Sequence, residues 1–502
     1  MPTNGPRSEL VLHWPGSPPS FNPFSNLSMP SWFPIWFIFD QLVNLDGEAR
    51  VGPQLAESWD VSADGRRYTF HLRRDVTWHD GAPFSAEDVA FTYTMLVDPR
   101  STSRYQSLAL PIKGAEAYAA GDAATVEGIS VVDDYTVMME LAEPHFGFLA
   151  TMAFPIVPRH ILENVATGER VEDTEWSLRS PVGTGPFQFV SYTPRENLIL
   201  EAFSDFYRGE PAVKRIVWNI IPDETVAALA LQRDEVNYMI PRDVEVWQNL
   251  KAATGIAMTE TVTTGYWHYT FNTSRSPFDN VLVRRAVAHA INKQLFVDAL
   301  LEGLGAPANT VIANGMIGHT DDVATYDYDP EQARLLLADA GYPAGLSANV
   351  VYDGGSRFAA LLATALQGWL AEVGIELELI GVEAGAWTAR RQSGDYDITI
   401  SGVTRADPDQ ILTEQFHSTN FPPGGNQSFY GAIDDLIEAQ RVAVSNEERA
   451  SILVEIQQRI AEDVPELPVF QPVYVTAYAD YLSGDAPNHI HWMTLFEHLE
   501  FQ

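Results

Sequence analysis

Residues 265–307 read GYWHYTFNTSRSPFDNVLVRRAVAHAINKQLFVDALLEGLGAP and carry the signals of one strand and two helices. Aromatic and polar residues alternate over residues 266–272, which predicts a strand. Asp279 is expected to cap the first helix, because apolar residues recur at helical spacing after it. Asn292 is expected to cap the second helix, and Gly303 to end it. This stretch therefore predicts a strand that leads into two successive helices.

The alternation of helices and strands continues toward the C-terminus. Asp329, with a proline directly after it, predicts the start of a helix. An apolar stripe over residues 362–373 predicts another helix, which Gly374 ends before a strand over residues 375–380. A further strand is predicted within residues 394–401. Such alternation predicts an α/β fold with mixed sheets flanked by helices.

The N-terminal part carries turn and capping signals. Residues 9–14, ELVLHW, predict an opening strand. Asp64-Gly65 predicts a hairpin turn between alternating segments. Ser85, followed three residues later by Asp88, predicts a capping box at the start of a helix. Residues 181–187, PVGTGPF, have two glycines around one threonine, which predicts a sharp backbone path.

Composition limits the partners of the chain. At 502 residues the chain is long enough for two or three domains, because single cores seldom grow beyond about 300 residues. Its 67 acidic and 31 basic residues give a net charge of −36, which disfavours nucleic acid and anionic lipid as partners. Cysteine is absent, so disulfides and thiolate metal sites are excluded. The apolar run at residues 33–39 is much shorter than the roughly 20 residues of a membrane span.

No catalytic motif is present in the sequence. It lacks a GxSxG elbow, an HExxH pair, a phosphate-binding loop and a GxGxxG turn. His489 and His491 would share one face of a strand, but no third ligand lies near them in sequence. His79 is interpreted as structural. We therefore expect no enzymatic activity, no cofactor and no metal site.

Several segments together resemble a known family. The run FN-(x)5-FDN-(x)3-RRAVAHAIN over residues 271–292, closed by GLGAPA, resembles the middle segment of the family 5 extracellular solute-binding proteins. These are oligopeptide- and dipeptide-binding receptors of ABC importers. Matching segments follow the family's order from Asn22 to near the C-terminus, and they include residues 52–59, 64–72, 76–90, 153–162 and 181–187.

The resemblance implies a periplasmic-binding-protein-like fold of two lobes with an extra domain. The implied domains are discontinuous: residues 1–48, 181–264 and 478–502 form the first, residues 49–180 the second and residues 265–477 the third. Chain crossings between lobes imply hinge closure around a ligand in an interlobe cleft.

The implied function is that of a receptor which captures a solute and delivers it to the permease of an ABC transporter, and the expected solute is an oligopeptide. The implied location is outside the cytoplasm, in the periplasm or lipid-anchored on the cell membrane. The N-terminus MPTNGPRSEL has no signal-peptide core, so an export signal is expected to be missing from this sequence. We expect a monomer.

The resemblance also implies ligand contacts. Tyr105 and Trp387 match aromatic residues that line the pocket in peptide receptors of the family, and Tyr266 and Trp267 lie on the strand that enters the third domain. Arg357, Arg390 and Arg391 lie in segments that carry basic groups for a ligand carboxylate, although solvated surface is the alternative. The full expected set is Ser28, Met29, Trp32, Tyr105, Tyr266, Trp267, Arg357, Trp387, Gly402, Val403, Thr404, Arg405 and Asp407.

Residues 394–412 bear most directly on ligand class. In the family, the corresponding strand and loop pair with an extended peptide, and a motif D-Y-x-D-P supplies an acid for the ligand's ammonium group. Here the first Asp is missing and Arg405 stands near its place. Asp407 is the expected substitute, while Asp409 is expected to cap the next helix. An oligosaccharide or another small solute is the alternative ligand, and a nickel or other metal complex is less expected.

Overall fold

The computed structural model describes residues 8–25, 29–45, 50–163, 170–405, 407–443, 445–484 and 498–502. Its strands are β1 Glu9–Trp14, β2 Val43–Leu45, β3 Val51–Pro53, β4 Ala56–Val61, β5 Arg67–Leu72, β6 Ile129–Asp133, β7 Thr136–Glu140, β8 Phe187–Thr193, β9 Asn197–Ala202, β10 Arg215–Ile220, β11 Tyr238–Met239, β12 Ile256–Val262, β13 Tyr266–Phe271, β14 Gly305–Pro307, β15 Leu346–Asp353, β16 Ile375–Val382, β17 Ile398–Val403, β18 Glu466–Ala479, β19 Leu482–Ser483 and β20 Glu500–Phe501.

Its α-helices are α1 Met29–Ile38, α2 Ala86–Val97, α3 Ala115–Ala119, α4 Phe148–Thr151, α5 Arg159–Leu162, α6 Glu175–Leu178, α7 Glu224–Gln232, α8 Val244–Lys251, α9 Val281–Ala290, α10 Lys293–Leu300, α11 Pro330–Asp339, α12 Arg357–Glu372, α13 Ala384–Ser393, α14 Pro408–Phe416, α15 Asp434–Arg441 and α16 Asn446–Asp463. None of the helices in the described ranges is both long enough and apolar enough to cross a bilayer. The chain divides into unit 1, residues 1–260 with 475–502, and unit 2, residues 261–474.

Unit 1 contains a mixed sheet and a separate antiparallel sheet. The predicted opening strand is β1, which runs parallel to β10 and β11, and β9 and β8 extend the sheet in antiparallel pairings. The second sheet has the order β4-β5-β7-β6, and Gly65 adopts φ +68° in the predicted hairpin turn between β4 and β5. The capping box of α2 is confirmed, since the Asp88 carboxylate accepts the amide of Ser85 at 2.9 Å.

The two glycines of residues 181–187 are required by a close approach of two backbone segments. A Cβ atom at Gly183 would lie 1.9 Å from the carbonyl oxygen of Ile38, and one at Gly185 would lie 2.5 Å from that of Phe37. Neither glycine adopts a positive φ. Space for the carbonyl groups of α1, rather than the expected sharp turn, therefore demands glycine here.

Unit 2 is built on a mixed sheet with the strand order β16-β15-β17-β13-β18. Strand β15 is parallel to β16 and β17, whereas β13 is antiparallel to β17 and β18. Helix α12 packs on β15 and β16, and its predicted apolar stripe is buried at Leu362, Leu366, Trp369 and Leu370. The expected α/β class with mixed sheets and flanking helices is confirmed. The division into three discontinuous domains stays a prediction.

One helix begins a residue later than expected. Asn280 caps α9, because its side-chain oxygen accepts the amide of Leu282 at 2.9 Å. The expected cap, Asp279, is wrong because the amide of Asp279 still donates to the carbonyl of Arg275, which keeps it in the preceding turn. The expected cap of α10 is confirmed by a 2.9 Å hydrogen bond from the amide of Leu295 to Asn292, and Gly303 follows with φ +95°.

Candidate functional site

A cavity of about 390 Å³ lies within unit 2. Its wall is formed by β17 and the loop after it, the beginnings of β13 and α12, one face of α13 and part of α14. The volume falls within the range of small-molecule sites, and the wall combines aromatic rings with a few charged groups. This cavity is the candidate ligand site.

Strand β17 presents an unpaired edge to the cavity. On one side it pairs with β13 along its whole length, from Phe271↔Ile398 to Tyr266↔Val403. On the other side β15 pairs with β17 only as far as Val351↔Thr399. Among the described residues, no strand pairs with that side of residues 400–403, and all four border the cavity. Main-chain groups are therefore available to an extended ligand.

Gly402 allows the backbone of β17 to lie directly against Trp267. A Cβ atom at Gly402 would lie 2.8 Å from Cε2 of Trp267. The Trp267 ring is held from another direction by Phe470, parallel within 4° at a centroid distance of 6.4 Å. A residue with a side chain at position 402 would therefore displace this ring or the strand.

Trp387 and Arg391 are stacked at the cavity wall. The indole Nε1 of Trp387 donates to Thr399 Oγ1 at 3.2 Å, and the ring is half-buried. The Arg391 guanidinium lies over that ring at 4.4 Å from its centre. Its Nε is buried without a hydrogen-bond partner, and within the described part of the chain Arg391 forms no ion pair. Burial lowers the pKa of Arg391 from its usual 12.5. A cation placed in this way favours an anionic ligand group.

Glu414 supplies an acidic group to the cavity. Arg405 Nε and Nη2 both donate to Oε2 of Glu414, at 2.9 and 2.6 Å, and Arg405 Nη1 donates to the carbonyl of Thr404. Across the described ranges, Oε1 of Glu414 receives no hydrogen bond. Arg405, which stands near the place of the family's first Asp, thus orients a carboxylate from α14.

Asp407 is placed away from the cavity wall. Its carboxylate accepts Nη1 and Nη2 of Arg449 at 2.9 and 2.5 Å, and both side chains are at most 10% exposed. The same carboxylate accepts the amide of Asp409 at 2.8 Å and so caps α14. The expected cap, Asp409, is therefore wrong, because Pro408 occupies the first helical position and makes the residue before it the cap. The Asp407 carboxylate therefore forms a buried ion pair with Arg449 and does not border the cavity.

The other expected residues are distributed as follows. Val403 and Thr404 border the cavity, as do Tyr266 and Trp267, although Tyr266 is 0% exposed and its hydroxyl donates to Glu466 Oε1 at 2.8 Å. Arg357 is exposed at the start of α12, where Ser356 and Ala359 rather than Arg357 border the cavity.

The expected residues of unit 1 form a pair. Trp32 on α1 donates its indole N–H to the Tyr105 hydroxyl at 3.2 Å, and the two rings meet edge to face with their centres 5.5 Å apart. Both side chains are half-buried. Ser28 and the side chain of Met29 lie outside the described residues.

The structure also bears on metals and on residues that the sequence did not single out. Among the described residues, no group of three or more His, Asp or Glu side chains can hold a metal ion, and His489 and His491 lie outside that part.

Glu414 was missed in the sequence because a position two turns into a helix carries no motif. Arg391 was named, but nothing in the sequence separates it from its neighbour Arg390.

Comparisons with known proteins agree with one another. The family model "Bacterial extracellular solute-binding proteins, family 5 Middle" matches residues 50–423. The dipeptide-binding protein of Escherichia coli is 29% identical over 92% of this chain and 90% of its own length. The di/tripeptide-binding protein 2 of Pseudomonas aeruginosa is 30% identical over 87% of this chain and 84% of its own length. An ABC transporter substrate-binding protein of Listeria monocytogenes superposes with a TM-score of 0.87 at 26% identity, covering 99% of this chain and 100% of that one.

Proposed function

The chain belongs to the bacterial extracellular solute-binding proteins of family 5, and we propose that it captures a short peptide in the cavity of unit 2 for an ABC importer. The expected fold of a periplasmic-type binding protein agrees with its solved neighbour. The observation that carries the peptide assignment is the unpaired edge of β17 over residues 400–403.

A peptide satisfies this edge better than most small solutes. Its alternating N–H and C=O groups match the spacing of a strand, so it can add to β17 as one more strand. Gly402 has no side chain that could cover the backbone in the middle of this edge. Trp267 and Trp387 supply apolar surfaces for side chains of the ligand. Main-chain pairing also serves peptides of differing sequence equally, as a nutrient receptor requires.

Two of the charged groups that border the cavity, Arg391 and Glu414, suit the two ends of a free peptide. Arg391 has a buried Nε without a partner among the described residues, and a ligand carboxylate would provide one. Oε1 of Glu414 can accept an ammonium group, because both hydrogen bonds from Arg405 go to Oε2. We assign to Glu414 the ammonium-binding role that the sequence suggested for Asp407, since Asp407 is occupied by Arg449.

The test is calorimetric titration of dipeptides and tripeptides with free, N-acetylated and C-amidated termini. Glu414→Gln is expected to cost a free peptide roughly 2–5 kcal/mol, as for other charge pairs that lose one partner, and to leave an N-acetylated peptide unaffected. Glu438→Gln on α15 is the matched control, because that side chain is 66% exposed and pairs with His417. Binding of cello- or xylo-oligosaccharides without any binding of peptides would overturn the assignment in favour of the sugar alternative.

The remaining parts of the proposal rest on the family. The relatives are named as binding proteins, so the primary role proposed is transport and not catalysis. We propose an extracytoplasmic location and delivery of the ligand to permease subunits in the membrane. A monomeric state and closure of the lobes around the ligand stay predictions from the sequence.

A further inference from the structure

Three side chains on neighbouring strands of unit 2 are arranged as a serine, histidine and carboxylate relay. Ser401 on β17 lies directly opposite His268 on β13, and Ser401 Oγ is 3.1 Å from His268 Nε2. His268 Nδ1 is 3.0 Å from Glu466 Oε2 at the start of β18. These are hydrogen-bond distances for a nucleophile, a base and the group that orients the base.

The hydrogen bonds around Glu466 determine the tautomer of His268. Glu466 Oε1 accepts the Tyr266 hydroxyl at 2.8 Å, and Oε2 faces the histidine ring. A carboxylate only accepts, so His268 Nδ1 carries the proton that is donated to it. The Thr270 hydroxyl, 3.1 Å from Nδ1, is placed to accept a share of that proton. Nε2 is then left with a lone pair, which accepts the hydroxyl proton of Ser401.

Burial separates the roles of the three residues. His268 and Glu466 are 1% and 2% exposed, so water does not compete for their hydrogen bond. Ser401 is partly exposed and borders the 390 Å³ cavity. The relay thus ends on the wall of the ligand site.

We propose that Ser401 is an activated nucleophile that accepts the acyl group of an ester bound in the cavity. Ser401 Oγ forms a bond to the carbonyl carbon while its proton passes to His268 Nε2. The bond from that carbon to the alcohol oxygen breaks, and the departing alcohol takes the proton from His268. Water then hydrolyses the acyl-serine by the reverse proton path, which returns the serine and releases the acid.

Positive charge is available for the oxygen of the reacting carbonyl. Arg391 borders the same cavity, and within the described ranges its Nε has no partner. A cation beside the reacting carbonyl stabilises the negative charge that develops on its oxygen. The other interpretation of these contacts is a satisfied polar network that only fixes the register of β13 and β17. The two interpretations predict the same hydrogen bonds, so the reactivity of the Ser401 hydroxyl distinguishes them.

The test is labelling of the intact protein with a fluorophosphonate, whose P–F bond breaks as the bond from serine oxygen to phosphorus forms. Peptide mapping by mass spectrometry is expected to find the label on Ser401. Ser356 is the internal reference, because it borders the same cavity but has its oxygen bonded to the amide of Ala359 at the cap of α12. Absence of label on Ser401, or equal label on Ser356, would overturn the proposal.

Variants test the relay itself. His268→Gln, checked for folding by circular dichroism, is expected to lower the labelling rate of Ser401 at least roughly 100-fold, the contribution typical of a general base. Ser401→Ala is expected to abolish hydrolysis of p-nitrophenyl acetate. An unchanged rate in either variant would overturn the proposal. If the histidine variant does not fold, the labelling of the wild-type protein and the hydrolysis rate of Ser401→Ala still test the proposal. No peptide is used, so these results are independent of the transport proposal.

Discussion

The guanidinium carbon of Arg391 lies 4.4 Å from the centre of the Trp387 ring. Trp387 precedes Arg391 by one turn of α13. The stacking holds the arginine at the cavity without neutralising its charge. The indole N–H in turn is fixed by Thr399 on β17. Helix α13 thereby places one cation and one aromatic face beside the strand edge proposed to bind the ligand.

Removing the charge of Arg391 is expected to weaken peptide binding through the ligand's carboxylate. Arg391→Gln should cost a peptide with a free C-terminus roughly 2–5 kcal/mol and a C-amidated peptide much less. Arg390→Gln is the matched control, because Arg390 pairs with Asp395 at 3.4 Å and does not border the cavity. Isothermal titration with both peptides measures the difference. Equal losses for both peptides would contradict the assignment.

Trp387 is expected to contribute to binding more than to folding. Because its ring is half-buried at the cavity, Trp387→Ala should lower affinity by roughly 1–3 kcal/mol with a small change in melting temperature. Trp369 on α12 is the control, since it is 9% exposed and does not border the cavity. Trp369→Ala should cost about 3–5 kcal/mol of unfolding free energy and leave the affinity of the folded protein unchanged. The reverse pattern would show that Trp387 is a packing residue.

Asp407 is expected to stabilise the fold. Asp407→Asn removes the carboxylate that pairs with the Arg449 guanidinium, which is 3% exposed, and this should lower the free energy of unfolding in urea by roughly 3–5 kcal/mol. Asp395→Asn breaks a pair whose acid is 65% exposed, so a loss under about 1 kcal/mol is expected. Unchanged stability of Asp407→Asn with a loss of peptide affinity would instead support the ammonium-binding role suggested by the sequence.

His79 should make folding stability depend on pH. Its Nδ1 accepts the amide of Gly183 and its Nε2–H donates to the carbonyl of Gly185, which requires a neutral ring. Burial lowers the pKa of His79 from 6.5 to about 4. Between these values the unfolded chain binds more protons than the folded one, so stability falls as pH decreases from 6.5 to 4.

The measurement is chemical denaturation of wild type and His79→Gln across that pH window. The difference in unfolding free energy between the two proteins should shrink by roughly 3 kcal/mol from pH 6.5 to pH 4, at 1.36 kcal/mol per pKa unit. A difference that does not change with pH would show that His79 is not held neutral by the fold.

Local signals in the sequence predicted many elements and their ends. Strand β1, the capping box at Ser85, the Asn292 cap and the stripe of α12 follow from the spacing of apolar residues and from polar side chains beside free amides. The missed caps at Asn280 and Asp407 differ from the expected residues by one and two positions. At Asn280, hydrogen bonding in the preceding turn decided the boundary, and that bonding is not visible in spacing. At Asp407, the proline after it occupies the first helical position, which makes Asp407 rather than Asp409 the cap.

Local sequence by itself thus determined the elements, the α/β class and, through the resemblance, the family of this chain. The tertiary structure alone decided which side chains meet. Ser401, His268 and Glu466 are brought together by the pairing of β13 with β17 and β18, although 133 and 198 residues separate the histidine from its two partners. On the other side of β17, the pairing with β15 stops at Thr399, so among the described residues no strand pairs with that side of residues 400–403. Strand register joins positions that are distant along the chain, so no local pattern records it.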